Sequence, residues 1–171
     1  VGLVIYLSIV DPETKIVFIY NYLRISCVLL LGYYVYKSNL WLKYRVFFLW
    51  TTVIVAVIQS IIALTQFLLQ RSLGLNILGE SPLATTFYGV AKIVSHGTIF
   101  IRGYGTLPHP NILGALLVIV SFFNLYLLNK TIQFKQRVLL SISYFLITMG
   151  IFVTFSRSAL LGLVIGLTTC L

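Results

Sequence analysis

Acidic residues, cysteine and methionine are scarce in this chain of 171 residues. It contains three Asp+Glu, two Cys and one Met, and charged residues make up 9% of the sequence. Three acids are too few for a carboxylate cage, and Cys27 and Cys170 lie in apolar runs without the spacing of a metal site or a disulfide framework. A soluble domain carries about 25% charged residues, so the low charge excludes that class.

Apolar residues are abundant instead. They make up 60% of the chain, and the mean hydropathy is +1.05, which indicates an integral membrane protein. A helix needs about 20 apolar residues to cross the bilayer, and runs of that length predict an all-α polytopic helical bundle in a single membrane domain. Full spans are predicted at 16–36, 46–69, 111–129 and 138–155. Shorter apolar runs at 1–10 and 158–171 predict partial spans, so the chain is interpreted as truncated at both ends.

The stretch 70–110 differs in composition from the predicted spans. It contains three of the four prolines, six of the twelve glycines and both histidines, which predicts a structured loop outside the hydrocarbon. Within it, Ser95-His96-Gly97 separates two β-prone runs, so a small β-hairpin is predicted at 91–102. The basic residues of this hairpin are compatible with surface positions that have no specific function.

The basic residues outnumber the acids and give a net charge of +9. In a soluble protein this excess would suggest nucleic acid, but in a membrane protein Lys and Arg first set the orientation, because short basic loops stay in the cytoplasm. The loops 37–45 and 130–137 each carry three bases and no acid, so both are predicted to face inward. The segments 11–15, 70–110 and 156–157 then face outward, and nucleic acid is not an expected partner.

The first motif with chemical potential is the run 102–111, directly before a predicted span. Its two glycines permit backbone conformations closed to other residues, its prolines stiffen the approach, and Asn111 is predicted to cap the following helix. A rigid re-entry loop and a ligand site are both compatible with this pattern. His109 is interpreted as a positioning or hydrogen-bonding residue rather than a base or metal ligand, since no carboxylate or second ligand accompanies it.

The second motif is the run 154–162, which joins two predicted spans with almost no loop. Ser156 or Ser158 can cap the second helix, which leaves Arg157 at a helix N-terminus, where the helix dipole disfavours a cation. A negative ligand would remove this conflict, and the alternative is an arginine that extends to the lipid headgroups. Arg24 is a third candidate, about 12 Å into its span or, if that span begins later, near its outer end.

The predicted topology places these motifs on one side of the membrane. The helices that begin at 111 and 158 both run inward, so their N-termini lie on the same face as Arg102 and Arg157. Helix N-termini and arginines suit phosphate or pyrophosphate groups. The sequence therefore predicts an anion site near the outer leaflet.

The two motifs carry a resemblance to a known family. The run Arg102-x-x-Gly-Thr-x-x-His-Pro-Asn111, the following Ile-Leu-Gly-Ala, and Thr-Phe-Ser-Arg-Ser-Ala at 154–159 resemble the O-antigen ligase/polymerase family of bacterial polytopic membrane glycosyltransferases. The pieces 66–74 and 78–80 also look like members of that family. The matching pieces occur in order between residues 66 and 159, a stretch that spans about half of the chain.

The resemblance implies a metal-independent enzyme of polysaccharide biosynthesis in the bacterial cell envelope. Such an enzyme transfers a glycan from undecaprenyl diphosphate to a glycan, lipid or protein acceptor at the outer, periplasmic face of the cytoplasmic membrane, without a cofactor. Arg102 and Arg157 match the arginines that engage the diphosphate. Arg24, which the resemblance does not cover, is a third candidate from its position in the span. Loop and helix-cap support is expected from Gly105, Thr106, His109, Pro110, Asn111, Ser156 and Ser158.

The resemblance also limits what this chain does alone. The histidine that helps to activate the acceptor lies in a large outer loop that the resemblance places later than this chain, and His109 is not that histidine. The fragment alone is therefore expected to be inactive, and ligase and polymerase remain alternatives. A transporter or flippase of an anionic lipid-linked substrate is a further alternative, as is a structural subunit whose arginines contact headgroups.

Overall fold

The computed structural model describes residues 12–95 and 97–170. The predicted partial span at 1–10, His96 and the side chain of Cys170 lie outside the described residues. The chain divides into two units, residues 1–45 and 46–171. The described residues form helices and one two-stranded sheet, which confirms the predicted all-α membrane fold with a small hairpin. The elements are α1 Pro12–Lys37, α2 Leu40–Leu69, a short 3₁₀ helix Asn76–Leu78, β1 Lys92–Ser95, β2 Thr98–Ile101, α3 Pro110–Lys130, α4 Phe134–Val153 and α5 Arg157–Cys170.

The first unit contains α1, the turn that follows it and the first residues of α2. Pro12 suits the first turn of a helix, where its missing N–H needs no partner, and Lys37 in the last turn complements the negative end of the helix dipole. The helix ends where the Ser38 N–H donates to the Tyr34 carbonyl and Asn39 adopts a positive φ of 51°. Helix α1 contains the whole span predicted at 16–36.

Three of the described helices are long and apolar enough to cross a membrane, with spans at Leu42–Leu69, Pro110–Lys130 and Phe134–Val153. Helix α5 is a shorter apolar helix. Both α2 and α4 begin before their predicted spans, because the basic residues Lys43, Arg45, Lys135 and Arg137 are good helix formers that continue the helices beyond the apolar runs. Helix α4 ends at Val153, two residues before its predicted limit at 155, where Phe155 takes a positive φ of 47°.

The core of the second unit is formed by one face of each helix. On α3, buried residues recur every three or four positions, which is the spacing of one helical face. The apolar side chains on the opposite faces are exposed, as expected for helices that contact lipid. The core members include Leu49, Val53 and Ala56 of α2, Leu113, Leu117 and Val120 of α3, Leu140, Ile147 and Ile151 of α4, and Ala159 and Leu163 of α5.

The predicted hairpin lies between α2 and α3. Its strands pair antiparallel with Lys92 opposite Ile101 and Ser95 opposite Thr98, and Gly97 in the turn has a φ of +80°. The end of β2 is anchored, since Ile101 is fully buried in a small second core with Leu83 and Tyr104. This anchor fixes where the chain leaves the hairpin and continues to Arg102.

Candidate functional site

Arg102 joins the two motifs that the sequence analysis singled out. Its Nε donates to the Thr154 carbonyl at 2.6 Å, and its Nη2 donates to Asn111 Oδ1 at 2.6 Å. These bonds use two of the five N–H donors of a guanidinium. Burial lowers the pKa of Arg102, while Tyr104 raises it, and the net shift is downward. An arginine nevertheless stays protonated at neutral pH, so the site has a fixed positive charge.

Glutamine side chains of α2 hold the loop that contains Arg102. The fully buried Gln66 donates from Nε2 to the Gly105 carbonyl at 2.8 Å, and its Oε1 accepts from the N–H groups of Tyr104 and Gly105 at 3.1 and 2.8 Å. Two turns earlier, Gln59 donates to Thr106 Oγ1 at 2.7 Å and accepts from the Thr106 N–H at 2.9 Å. These amides satisfy the buried backbone of the loop and define its position.

Two glycines allow the loop to approach the helices closely. The Gly103 N–H donates to the Val153 carbonyl at 2.8 Å, and a Cβ at this position would lie 3.0 Å from the Ala63 carbonyl oxygen. Gly105 has a φ of +63°, and a Cβ there would overlap Gln59 Oε1. The backbone of the loop is therefore in direct contact with α2 and with the end of α4, which leaves no space for larger residues at 103 and 105.

A buried acid connects the loop to the segment that follows α2. Glu80 accepts from the N–H groups of Leu73 and Leu75 at 2.7 and 2.6 Å and from Gln66 Nε2 at 2.8 Å. Burial raises the pKa of Glu80, but these hydrogen bonds and one from the Gly74 N–H lower it, and the net shift is downward. Neutral donors therefore stabilise the charged form of the carboxylate. Its oxygens accept hydrogen bonds from Gln66 and from the backbone of the loop.

The N-terminus of α3 is capped by His109 and not by Asn111, so the predicted cap is wrong. His109 has extended backbone angles, and its Nδ1 accepts from the Asn111 N–H at 3.2 Å. Pro110 explains the shift, because proline favours the first helical position and biases the preceding residue toward extended angles. Asn111, displaced into the first turn, presents its Oδ1 to Arg102 instead.

The turn between α4 and α5 forms the other half of the site. Thr154 is fully buried, and its Oγ1 donates to the Ile151 carbonyl at 2.7 Å and accepts from the Ser156 N–H at 3.3 Å. Ser156, one of the two serines predicted to cap α5, occupies the cap position, where its Oγ accepts from the Ala159 N–H at 3.4 Å. Ser158 Oγ lies 3.1 Å from Ser156 Oγ. The turn therefore directs the Thr154 carbonyl toward Arg102, and its Ser156 caps the N-terminus of α5.

The first turns of α3 and α5 pack against each other. A Cβ added at Gly114 would lie 2.9 Å from the Ala159 Cβ and 3.2 Å from the Ser156 Cβ. This close approach, together with the two bonds of Arg102, brings the N-termini of both helices to the same end of the second unit. Arg102, His109, Asn111 and Ser156 thus belong to one structural cluster.

The structure does not bring every predicted residue into this cluster. Arg157 lies in the first turn of α5 but is exposed, and its side chain forms no hydrogen bond with a residue in the described part of the chain. Arg24 belongs to the first unit, on an exposed face of α1 beside Asn21. Within residues 12–95 and 97–170 no group of three or more His, Cys, Asp or Glu side chains could hold a metal ion.

The residues predicted from the sequence do not include Gln59, Gln66, Glu80 or Thr154 with its carbonyl. A signal for two of the glutamines was present, because Gln59 and Gln66 lie seven residues apart, on one face of a predicted membrane span, and polar residues within spans mark structural or functional contacts. Gln70, just after the end of α2, acts in the same way, since its Oε1 accepts from the Ile101 N–H at 2.6 Å. The role of a backbone carbonyl left no signal in the side-chain pattern.

Comparison of the chain with protein-family models, with curated proteins and with solved structures found no match.

Proposed function

We propose that this chain forms the donor site of a bacterial membrane glycan ligase or polymerase. The enzyme transfers a glycan from undecaprenyl diphosphate to a glycan, lipid or protein acceptor at the outer, periplasmic face of the cytoplasmic membrane. One observation carries the proposal: Arg102 bonds both to Asn111, in the first turn of α3, and to the Thr154 carbonyl, just before α5. A single cation is thereby fixed between two helix N-termini.

The electrostatics of the cluster favour an anionic ligand. Each helix N-terminus contributes N–H groups and a partial positive charge, and phosphate groups bind readily at such positions. Arg102 adds a full charge that its partners, an amide and a carbonyl, do not neutralise. The buried acid nearby, Glu80, is already bound by backbone and amide donors. The cluster thus carries a positive charge that a diphosphate would complement.

The chemistry of glycan transfer uses such a charge at the leaving group. An acceptor oxygen forms a bond to the anomeric carbon while the bond from that carbon to the diphosphate oxygen breaks, and the electron pair leaves with the diphosphate. The negative charge on the diphosphate rises, so a cation already fixed in place stabilises the transition state without reorganisation. The acceptor's proton leaves to a base, which the family resemblance places outside this chain.

Arg157 is proposed as the second ligand of the diphosphate. It lies one residue after the Ser156 cap and is exposed, so its guanidinium is free to rotate toward a ligand at the N-terminus of α5. Arg102 would supply the fixed charge, and Arg157 a charge that closes on the bound substrate.

The proposal is tested by transfer from a labelled undecaprenyl-diphosphate glycan with the intact protein in nanodiscs. Arg102→Ala and Arg157→Ala are each expected to slow transfer about 100-fold. Arg71→Ala, which removes an exposed arginine of the same loop, is the matched control and should transfer at the normal rate. Normal transfer by both site variants would contradict the proposal. Movement of the lipid across the bilayer without glycan transfer would instead support a transporter or flippase.

A further inference from the structure

Three phenylalanine rings form an apolar surface beside Thr154, whose carbonyl accepts the hydrogen bond from Arg102. Phe67 from the last turns of α2 lies 5.6 Å from Phe155 and 6.4 Å from Phe100 of β2, measured between ring centroids. The rings are tilted with respect to one another, and none of the three is fully buried. Phe155 is 42% exposed. We refer to these three residues as the aromatic cluster.

Phe155 occupies an unusual backbone position. Its φ of +47° lies in the left-handed region, which a bulky residue rarely adopts. Both neighbours, Thr154 and Ser156, are buried, so the turn inserts its polar residues into the protein and leaves the aromatic ring outside. Helices often end with a left-handed residue just after the cap, but that residue is usually glycine. A bulky aromatic there is strained, and strained non-glycine positions cluster at ligand and active sites.

The ring of Phe155 belongs to the turn that contacts one arginine and precedes the other. The residue before Phe155 accepts the hydrogen bond from Arg102 Nε, and the exposed Arg157 follows two positions after it. An apolar surface therefore borders directly on the charged groups of the site. This combination matches an amphiphile in which an apolar chain is attached to the anionic group itself.

We infer that the aromatic cluster, and Phe155 above all, contacts the first isoprene units of the lipid chain joined to the diphosphate. This inference rests on the proposed function, because it places the lipid relative to the diphosphate at Arg102. Arg102 would bind the phosphates of any diphosphate, whereas Phe155 would recognise only a ligand that carries the lipid chain. The site would thereby prefer lipid-linked diphosphates over free pyrophosphate or a soluble nucleotide sugar.

The test compares two probes, undecaprenyl diphosphate and inorganic pyrophosphate, for binding to the intact protein in nanodiscs. Phe155→Ala is expected to weaken undecaprenyl diphosphate binding about tenfold, through lost apolar contact, and to leave pyrophosphate binding within about twofold. Phe145→Ala is the matched control, because Phe145 is an exposed phenylalanine in the middle of α4, and it should change neither affinity. Unchanged undecaprenyl diphosphate binding by Phe155→Ala would overturn the inference, as would equal weakening for both probes.

Two further variants separate the possible failures. Phe155→Gly removes the ring but suits the positive φ, so it should melt at or above the temperature of Phe155→Ala and still bind the lipid probe weakly. Normal lipid binding by a well-folded Phe155→Gly would contradict the inference. Arg102→Ala should weaken binding of both probes. If it weakens neither, the proposed diphosphate site is wrong, whereas an effect of Arg102 without an effect of Phe155 refutes only the lipid contact.

Discussion

The guanidinium of Arg102 donates from Nη2 to the side-chain oxygen of Asn111 at 2.6 Å. The acceptor is a neutral amide, and the second acceptor of Arg102, the Thr154 carbonyl, is neutral as well. A carboxylate in either place would bind the arginine more strongly but would cancel its charge. The choice of neutral partners fixes the cation without neutralising it, as a site for an anionic substrate requires.

Asn111→Asp tests this argument directly. The carboxylate should keep the bridge to Arg102, so the melting temperature should equal or exceed that of the normal protein. Diphosphate affinity should fall about tenfold or more, because the ion pair competes with the ligand. Pyrophosphate binding and thermal unfolding are measured on the same preparation. Unchanged affinity would show that the charge of Arg102 does not face the ligand.

Arg102→Lys keeps the charge but removes the two-point attachment. A lysine ammonium is a point charge on a flexible stem and lacks the planar fork that reaches the Thr154 carbonyl and Asn111 Oδ1 together. Glycan transfer is expected to fall about 10- to 100-fold. Transfer at the normal rate would mean that position and rigidity of the charge are unimportant. Lys92→Ala, in the adjacent hairpin, is the control for nonspecific loss of basic charge.

Gly105→Ala and Gly89→Ala separate two reasons for glycine. Both residues have a positive φ, +63° and +80°, but only a Cβ at 105 would meet Gln59, while at 89 no atom lies within 4 Å. Gly89→Ala should therefore destabilise the protein by about 1 kcal/mol, and Gly105→Ala by about 2–4 kcal/mol because it also displaces the buried amide. Thermal unfolding in detergent measures both. Equal losses would show that the contact with Gln59 is unimportant.

The helices and the hairpin could be predicted from the sequence because each is encoded locally. Apolar runs predict α2, α3 and α4, and Ser95-His96-Gly97 between β-prone runs predicts the hairpin. The predicted starts of α2 and α4 are less accurate, since basic residues extend a helix as well as apolar ones do. The cap of α3 was misplaced because Pro110 determines it through its fixed φ, a backbone effect that outweighs the capping preference of Asn111.

The network around Arg102 could be predicted only in part. The sequence indicated that Arg102 and the N-termini of two helices share a face, but their contact depends on Gly114 packing against Ala159, a long-range event without a local pattern. The bond to the Thr154 carbonyl could not be predicted either, because every residue has a backbone carbonyl and the sequence does not distinguish one from another. Only the fold determines which carbonyl remains available at a helix end.

The acid dependence of stability provides a test of the Glu80 network. The pKa of Glu80 in the folded protein is lowered from its ordinary value of 4.5, so the unfolded chain binds more protons than the folded one in the window below 4.5. The stabilisation by Glu80 is therefore complete above that value and is lost as the pH falls through the folded pKa. The melting temperature should stay level down to about pH 5 and then decrease.

Glu80→Gln should remove this component of the acid transition. At neutral pH the variant is expected to be less stable by about 1–3 kcal/mol, because an amide has one accepting oxygen where the carboxylate uses two for Leu73, Leu75 and Gln66. Its stability should then vary less with pH below 4.5 than that of the normal protein. Glu13→Gln, outside this loop, is the control and should retain the acid transition. A Glu80→Gln variant with the same acid slope as the normal protein would contradict this prediction and place the titrating group elsewhere.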